Sequence, residues 1–140
     1  MEQKVYIDED LGAFYWDGLY EWHCELQTSN LGKIKIDVIP QVRDLKEILN
    51  SSRNIINSII KDDFIIKEFA AKMLLDTYNE CWSEGNLITL NEFINQVSIF
   101  SFSIFDRGTI IVHLNDNELF AGHHISVEIS SEGDLVEADI

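Results

Sequence analysis

The chain has 140 residues, 46% of them hydrophobic and 25% charged, so it can bury the core of a single domain over residues 1–140. Its formal net charge of −15 repels phosphate backbones, which counts against direct nucleic-acid binding. Its longest apolar runs are only a few residues, which counts against a membrane-spanning segment.

The two cysteines lie far apart in the sequence. Cys24 shares a predicted strand face with apolar residues, and Cys81 shares a predicted helix stripe. Both are therefore expected to be small buried side chains rather than partners in a disulfide. The N-terminus has no export signal, so the expected location is cytoplasmic.

Alternation of apolar and polar residues predicts three antiparallel strands within the first 39 residues. The first strand carries Phe14 and ends at a two-residue turn, Asp17-Gly18. The second places Tyr20, with the even-numbered residues up to 26, on the inner face, and the third covers residues 34–38. A short strand over residues 5–7 is a further candidate.

Helical spacing begins after Pro40, the only proline. Apolar residues recur at intervals of three and four over residues 42–60. A second helix follows, capped by Asp62-Asp63 and ended by Gly85. The third helix has a clear N-terminal signature, because Thr89 and Glu92 have the spacing of a capping box.

Three more strands follow, with inward rows at residues 100–104, 110–114 and 125–129, and residues 132–139 form an acidic tail. Phe100 is predicted to lie in the first of these inward rows. The predicted fold is α+β, with two antiparallel three-stranded meanders flanking three helices (βββ-ααα-βββ) and the helices packed on one sheet face.

The loop over residues 115–124 concentrates acidic and imidazole side chains. By strand parity His123 joins the inward row and His124 points outward. One interpretation gathers Asp116, Glu118 and a histidine into a metal or acid–base site. The other has Asp116 and Asn117 close a turn, while His123 bonds buried backbone groups. The spacing matches no known ligand motif, which favours the second interpretation.

Other catalytic arrangements are absent from the sequence, which has no G-x-S-x-G motif and no glycine-rich phosphate loop. We therefore predict no catalytic residues, no cofactor and no metal.

His23 and His113 occupy strand positions without an evident partner. The strand aromatics are typical of core packing, except that alternation places Tyr15 opposite Phe14 and Trp16.

Several short motifs follow one another in a particular order. They are Leu11-Gly12-Ala13-Phe14, the hairpin leading to Trp22, Asn79 with Trp82, the helix start at residues 90–93, and Asp116…Leu119-Phe120…Gly122-His123. This succession resembles bacterial domain-of-unknown-function family 2262, or a close relative of it, from about residue 11 to residue 129. The resemblance implies a bacterial, cytosolic α+β domain, in which Asp116 to His123 would carry any shared site. Some relatives of this general kind resemble immunity proteins of toxin systems.

Two functional hypotheses follow from these patterns, and a third, an oligomer formed through a sheet edge, rests only on the aromatic strands. In the first, the protein is a non-enzymatic binding module, an immunity-type inhibitor whose acidic surface attracts a basic toxin. In the second, it is a metal- or small-molecule-dependent enzyme or ligand-binding protein with a site at residues 116–124. The binding candidates are Tyr15, Glu21, Glu25, Asp116, Glu118, His123 and His124.

Overall fold

The computed structural model describes residues 4–140 and places eight strands and three α-helices there. The strands are β1 (Val5–Asp8), β2 (Gly12–Trp16), β3 (Trp22–Thr28), β4 (Gly32–Ile39), β5 (Ser98–Phe105), β6 (Ile110–Asn115), β7 (Ile125–Ile129) and β8 (Leu135–Asp139). The helices are α1 (Leu45–Lys61), α2 (Phe64–Thr77) and α3 (Leu90–Gln96), and a π-helical turn, Tyr78–Trp82, continues α2. Within residues 4–140, none of the helices is long and apolar enough to cross a membrane.

All eight strands belong to one sheet, in which they lie in chain order from β1 to β8. Every neighbouring pair is antiparallel except β4 and β5, which are parallel. A parallel pair needs a long crossover, and the three helices between β4 and β5 supply it. The α+β class is confirmed. The prediction of two three-stranded meanders is wrong, because four strands precede the helices and four follow them, and all eight form one sheet.

The two strands at the sheet edges are the ones that the sequence pattern describes least well. β1 covers the short candidate at residues 5–7, whereas β8 lies in the stretch predicted to be an acidic tail. In β8, Ala138 is buried and Val136 is exposed, and the register with β7 shifts between Glu128 and Ile129. This irregularity breaks the alternation that would have marked β8 as a strand.

One hydrophobic core joins the inner rows of the strands to the helices. Its largest fully buried side chains include Phe14, Phe93, Phe102 and Phe120, which come from β2, α3, β5 and the loop after β6.

The ends of the helices are fixed by local capping contacts. Asp44 accepts the Glu47 N–H at the start of α1, and the capping box predicted at the start of α3 is present.

A buried ion pair fastens β1 to α1. The Asp8 carboxylate accepts the backbone N–H of Leu11 at 3.0 Å and is bound by the Arg53 guanidinium of α1. Asp8 is only 3% exposed, and the Arg53 guanidinium compensates the charge of its carboxylate within the protein. The pair holds the edge strand in place, and the exposed side chains of β1 are thereby presented on a fixed backbone.

The π-helical turn changes the predicted burial of one cysteine. Cys24 is buried in β3, as predicted, but Cys81 is exposed. Cys81 lies within Tyr78–Trp82, where the wider π-helical turn ends the 3.6-residue spacing on which the buried stripe was predicted.

Candidate binding face

The face of the sheet opposite the core carries two rows of paired residues, and we call this surface the outer face. One row crosses all eight strands through Val5, Tyr15, His23, Asp37, Ser103, Ile111, Glu128 and Glu137. The neighbouring row runs through Glu25, Lys35, Ser101, His113, Ser126 and Asp139. Three predicted binding candidates that the strand pairing places on or beside this surface are Tyr15 and Glu25, in these rows, and Glu21, in the loop before β3. A fourth, His124, lines a pocket on the same surface.

The outer face is apolar at one end and acidic at the other. Val5 is 48% exposed, Ile7 67% and Tyr15 44%, and we call these three residues the apolar end. Val5 and Tyr15 are directly paired, and Ile7 is paired with Ala13 on the same strand as Tyr15. At the other end, the rows carry Glu128, Glu137 and Asp139, and residues 108–140 contain no lysine or arginine.

The loop between β2 and β3 lies next to the apolar end. One oxygen of Asp17 accepts the backbone N–H groups of Leu19, Tyr20 and Glu21 at 2.7, 3.0 and 3.2 Å. These bonds, with that from Leu19 the strongest, hold the pKa of Asp17 below its usual value. The predicted two-residue turn is wrong, because this longer loop delays the start of β3 to Trp22. Tyr20, predicted to point inward, is consequently exposed.

His23 lies among three carboxylates. Its Nδ1 is 2.6 Å from Asp37 Oδ1, and its Nε2 is 3.5 Å from Asp17 Oδ2 and 3.7 Å from Glu21 Oε2. The hydrogen bond with Asp37 is the main reason that the pKa of His23 is raised. The arrangement therefore stabilises an imidazolium on the outer face.

Three of these residues form the one cluster within residues 4–140 with the donor spacing of a metal site. Ligand atoms of Asp17, Glu21 and His23 all lie within 4.8 Å of one another. A divalent cation there would have to displace the proton from His23 Nε2, while Asp37 would continue to orient Nδ1. Sequence reasoning selected Glu21 alone from this cluster, because the other contacts depend on the strand register.

A second histidine cluster occupies the middle of the outer face. Ser103 Oγ is 2.9 Å from His113 Nε2, and the His113 ring centroid is 5.3 Å from that of His124. Burial, followed by the nearby His124, lowers the pKa of His113. His113 is therefore neutral at pH 7. A Ser–His contact is part of a nucleophilic site, but no carboxylate in the described chain is hydrogen-bonded to His113, so no Ser-His-Asp arrangement is completed.

A β-bulge adds an aromatic ring to this cluster. The register of β5 with β6 shifts between Ile99 and Ser101, and Phe100 is 41% exposed rather than part of the inward row. Its ring centroid lies 6.2 Å from that of His113 and 6.1 Å from that of His124. The prediction that Phe100 points inward is wrong because strand alternation does not reveal a bulge.

These groups surround a pocket of about 660 Å³ on the outer face. Its lining residues are Glu25, Lys33, Lys35, Asp37, Phe100, Ser101, Ser103, His113 and His124. Two predicted candidates, Glu25 and His124, thus meet in one pocket although they are distant in sequence.

The loop after β6 uses its acidic side chain for its own structure. Asp116 is 2% exposed, and its Oδ2 accepts the N–H groups of Phe120 and Gly122 at 2.8 and 3.1 Å. Its Oδ1 accepts the N–H of Glu118 at 3.3 Å. Asn117, Glu118 and Ala121 all have positive φ angles, of 48°, 71° and 55°. This geometry supports the interpretation of Asp116 as a residue that closes a turn.

His123 is exposed and does not join the inward row of β7. The prediction of its position is wrong because β7 begins at Ile125, after the loop. The His123 ring instead lies edge-on to Trp82, with 5.9 Å between centroids. Asp116, Glu118 and His123 do not bring their donor atoms together into a metal-binding group within residues 4–140.

The fold and this face together define an α+β protein with a single, mostly antiparallel sheet, one covered face and one polar face. The model of a family described as an uncharacterized protein conserved in bacteria, domain-of-unknown-function family 2262, matches residues 8–140. The chain belongs to this family, as its ordered motifs predict. No curated protein and no solved structure shows significant similarity to it.

Proposed function

We propose that the protein is a non-enzymatic binding module and that the apolar end of its outer face binds a basic partner protein. The observation that carries this proposal is the grouping of Val5, Ile7 and Tyr15, which are exposed and lie on paired strands. Exposed apolar groups that neighbour one another on a surface are typical of protein interaction sites. Tyrosine is also among the residues that contribute most to binding energy at interfaces.

The charges around the apolar end favour a basic partner. Glu9 and Asp10, in the turn after β1, and Glu25 on β3 are exposed. Asp17 and Glu21 lie in the loop beside the apolar end and share His23 between them. An apolar centre with an acidic rim fits a partner that has an apolar centre and a basic rim. The net charge of −15 adds a long-range attraction that raises the rate of association.

An immunity-type inhibitor is the specific form of this proposal. Such a protein covers a functional surface on a basic toxin, and it needs no catalytic group of its own. The exposed side chains of the apolar end stand on β1 and β2, which the Asp8–Arg53 ion pair and the antiparallel pairing hold in place. A rigid face of this kind loses little conformational entropy when it binds.

The test is an affinity pull-down from a lysate of the source organism, at low and at raised salt. Wild-type protein is compared with the double variants Ile7→Ser/Tyr15→Ser and Glu21→Lys/Glu25→Lys. Asp76→Lys is the matched control, since Asp76 is an exposed acid on α2, away from the outer face. We expect a basic protein that wild type and Asp76→Lys retain at low salt, that raised salt weakens, and that both double variants lose.

Two results would contradict the proposal. One is an empty pull-down at both salt concentrations. The other is equal retention by all four proteins, which would place the contact elsewhere on the surface. Circular dichroism and thermal melting of each variant show whether a loss of binding comes from a loss of folding.

A further inference from the structure

The pocket on the outer face contains a hydroxyl group without a hydrogen-bond partner in the described chain. Ser101 is only 6% exposed, and its side chain makes no hydrogen bond to residues 4–140. Within residues 4–140, every side-chain nitrogen or oxygen that is fully enclosed has a hydrogen-bond partner. The Ser101 hydroxyl has none, so it is not fully enclosed and opens onto the pocket that Ser101 lines. A largely buried polar group of this kind is a ready donor to a bound molecule.

The same pocket contains a lysine, Lys35, that forms no ion pair in the described chain, although its cross-strand neighbour on β3 is Glu25. Lys33 is paired with Glu25 at 3.0 Å, and Asp37 is paired with His23 at 2.6 Å. Lys35 has no carboxylate oxygen within 4.0 Å among the described residues. Its neighbour across the β4–β5 pair is Ser101, so the ammonium and the free hydroxyl arise from adjacent positions on the sheet.

One wall of the pocket is made of rings. Phe100, His113 and His124 have centroids 5.3 to 6.2 Å apart, and the hydrogen bond between Ser103 and His113 fixes the orientation of the His113 ring. Burial keeps the pKa of His113 low, so its ring is neutral at pH 7. Three rings at these distances offer a planar molecule edge-to-face contacts.

We propose that this pocket binds a small aromatic carboxylic acid, with the carboxylate at Lys35 and Ser101 and the ring against Phe100, His113 and His124. One ammonium and one hydroxyl match a singly charged carboxylate. A doubly charged phosphate ester is disfavoured, because Glu25 and Asp37 also line the pocket. The pocket volume of about 660 Å³ is within the range of small-molecule sites. This site is separate from the apolar end and goes beyond the proposed protein binding.

The test is a titration of ¹⁵N-labelled protein with benzoate and 4-hydroxybenzoate, followed through backbone amide shifts. Benzyl alcohol and phenyl phosphate serve as neutral and doubly charged probes. We expect both carboxylates to shift the amides of Lys35, Ser101 and His113, benzyl alcohol to shift none, and phenyl phosphate to bind more weakly than benzoate.

Two lysine variants provide a matched comparison. Lys35→Gln removes the unpaired ammonium and should weaken benzoate binding by about tenfold, the order expected for one exposed charge-assisted hydrogen bond. Lys33→Gln removes an ammonium already paired with Glu25 and should weaken benzoate binding less than Lys35→Gln does. Ser101→Ala should weaken binding as well. The inference is overturned if neither carboxylate shifts these amides, if both lysine variants behave alike, or if phenyl phosphate binds more tightly.

Discussion

Replacement of Asp116 by alanine tests whether the polar loop after β6 is structural. The carboxylate accepts three backbone N–H groups, two at 2.8 and 3.1 Å and one at 3.3 Å. It holds a loop in which three non-glycine residues have positive φ. If the acidic group serves the loop itself, its removal lowers the stability of the whole domain.

The size of the effect can be worked from these contacts. A hydrogen bond to a charged group contributes roughly 1.5–3 kcal/mol, and the two shorter bonds provide most of the stabilisation. The N–H of buried Phe120 loses its partner in the variant, whereas water can reach the N–H of exposed Gly122. We therefore expect Asp116→Ala to lower the free energy of unfolding by about 3 kcal/mol. For a domain of this size, that corresponds to a fall in Tm of roughly 10 °C.

The assay is urea denaturation followed by circular dichroism, with Asp76→Ala as a control. Asp76 is exposed on α2, and its replacement should change the unfolding free energy by less than about 0.5 kcal/mol. An Asp116→Ala variant within 1 kcal/mol of wild type, on the scale of an ordinary surface change, would refute the argument. Asp116 would then be free to act in binding or chemistry.

Three further predictions concern other parts of the molecule. Because the pKa of His23 is raised above its ordinary value of 6.5, its ion pairs stabilise the protein below that pH, and this stabilisation is lost as the pH rises through the folded-state pKa. The difference in unfolding free energy between wild type and His23→Gln should therefore shrink toward alkaline pH. A difference that stays constant with pH would contradict this. Phe120 is fully buried and packs edge-on against several rings. Phe120→Ala should therefore lower the free energy of unfolding, measured with denaturant, by about 3–5 kcal/mol. A loss below about 1 kcal/mol would be inconsistent with its place in the core. Burial raises the pKa of Cys24 to about 11, whereas Cys81 is exposed. Iodoacetamide should therefore label only the Cys81 thiol of the folded protein. If the Cys81→Ser variant were labelled at a similar rate, Cys24 would have to be accessible.

The sequence predicts the parts of the fold that depend on local patterns. Thr89 and Glu92 form the expected capping box, and the inner rows of β4, β6 and β7 are buried as their alternation indicates. β8 is an exception, because the irregular register near Val136 removes its alternation. The parallel contact between β4 and β5 has no local signal, since it depends on the path of three intervening helices.

The candidate site was partly predictable for the same reason. Alternation correctly places Tyr15 opposite Phe14, but it cannot show which outward residues of different strands meet. His23 and Asp37 are fourteen residues apart, and their contact requires the β3–β4 register. Phe100 reaches the outer face only because β5 has a bulge. The acids and histidines of the loop after β6 are close in sequence, a pattern that suggests a site. In the structure, however, the Asp116 carboxylate accepts hydrogen bonds from backbone amides of the same loop.

The most direct test of the proposed function is hydrogen–deuterium exchange of the protein alone and in complex with the basic protein retained in the pull-down. We expect the partner to slow exchange in peptides covering residues 5–28, which include β1, β2, β3 and the loop between β2 and β3. Peptides from α2 should exchange at the same rate with and without the partner. Slower exchange confined to α2 or to residues 108–140, with residues 5–28 unchanged, would contradict the assignment of the apolar end as the binding surface.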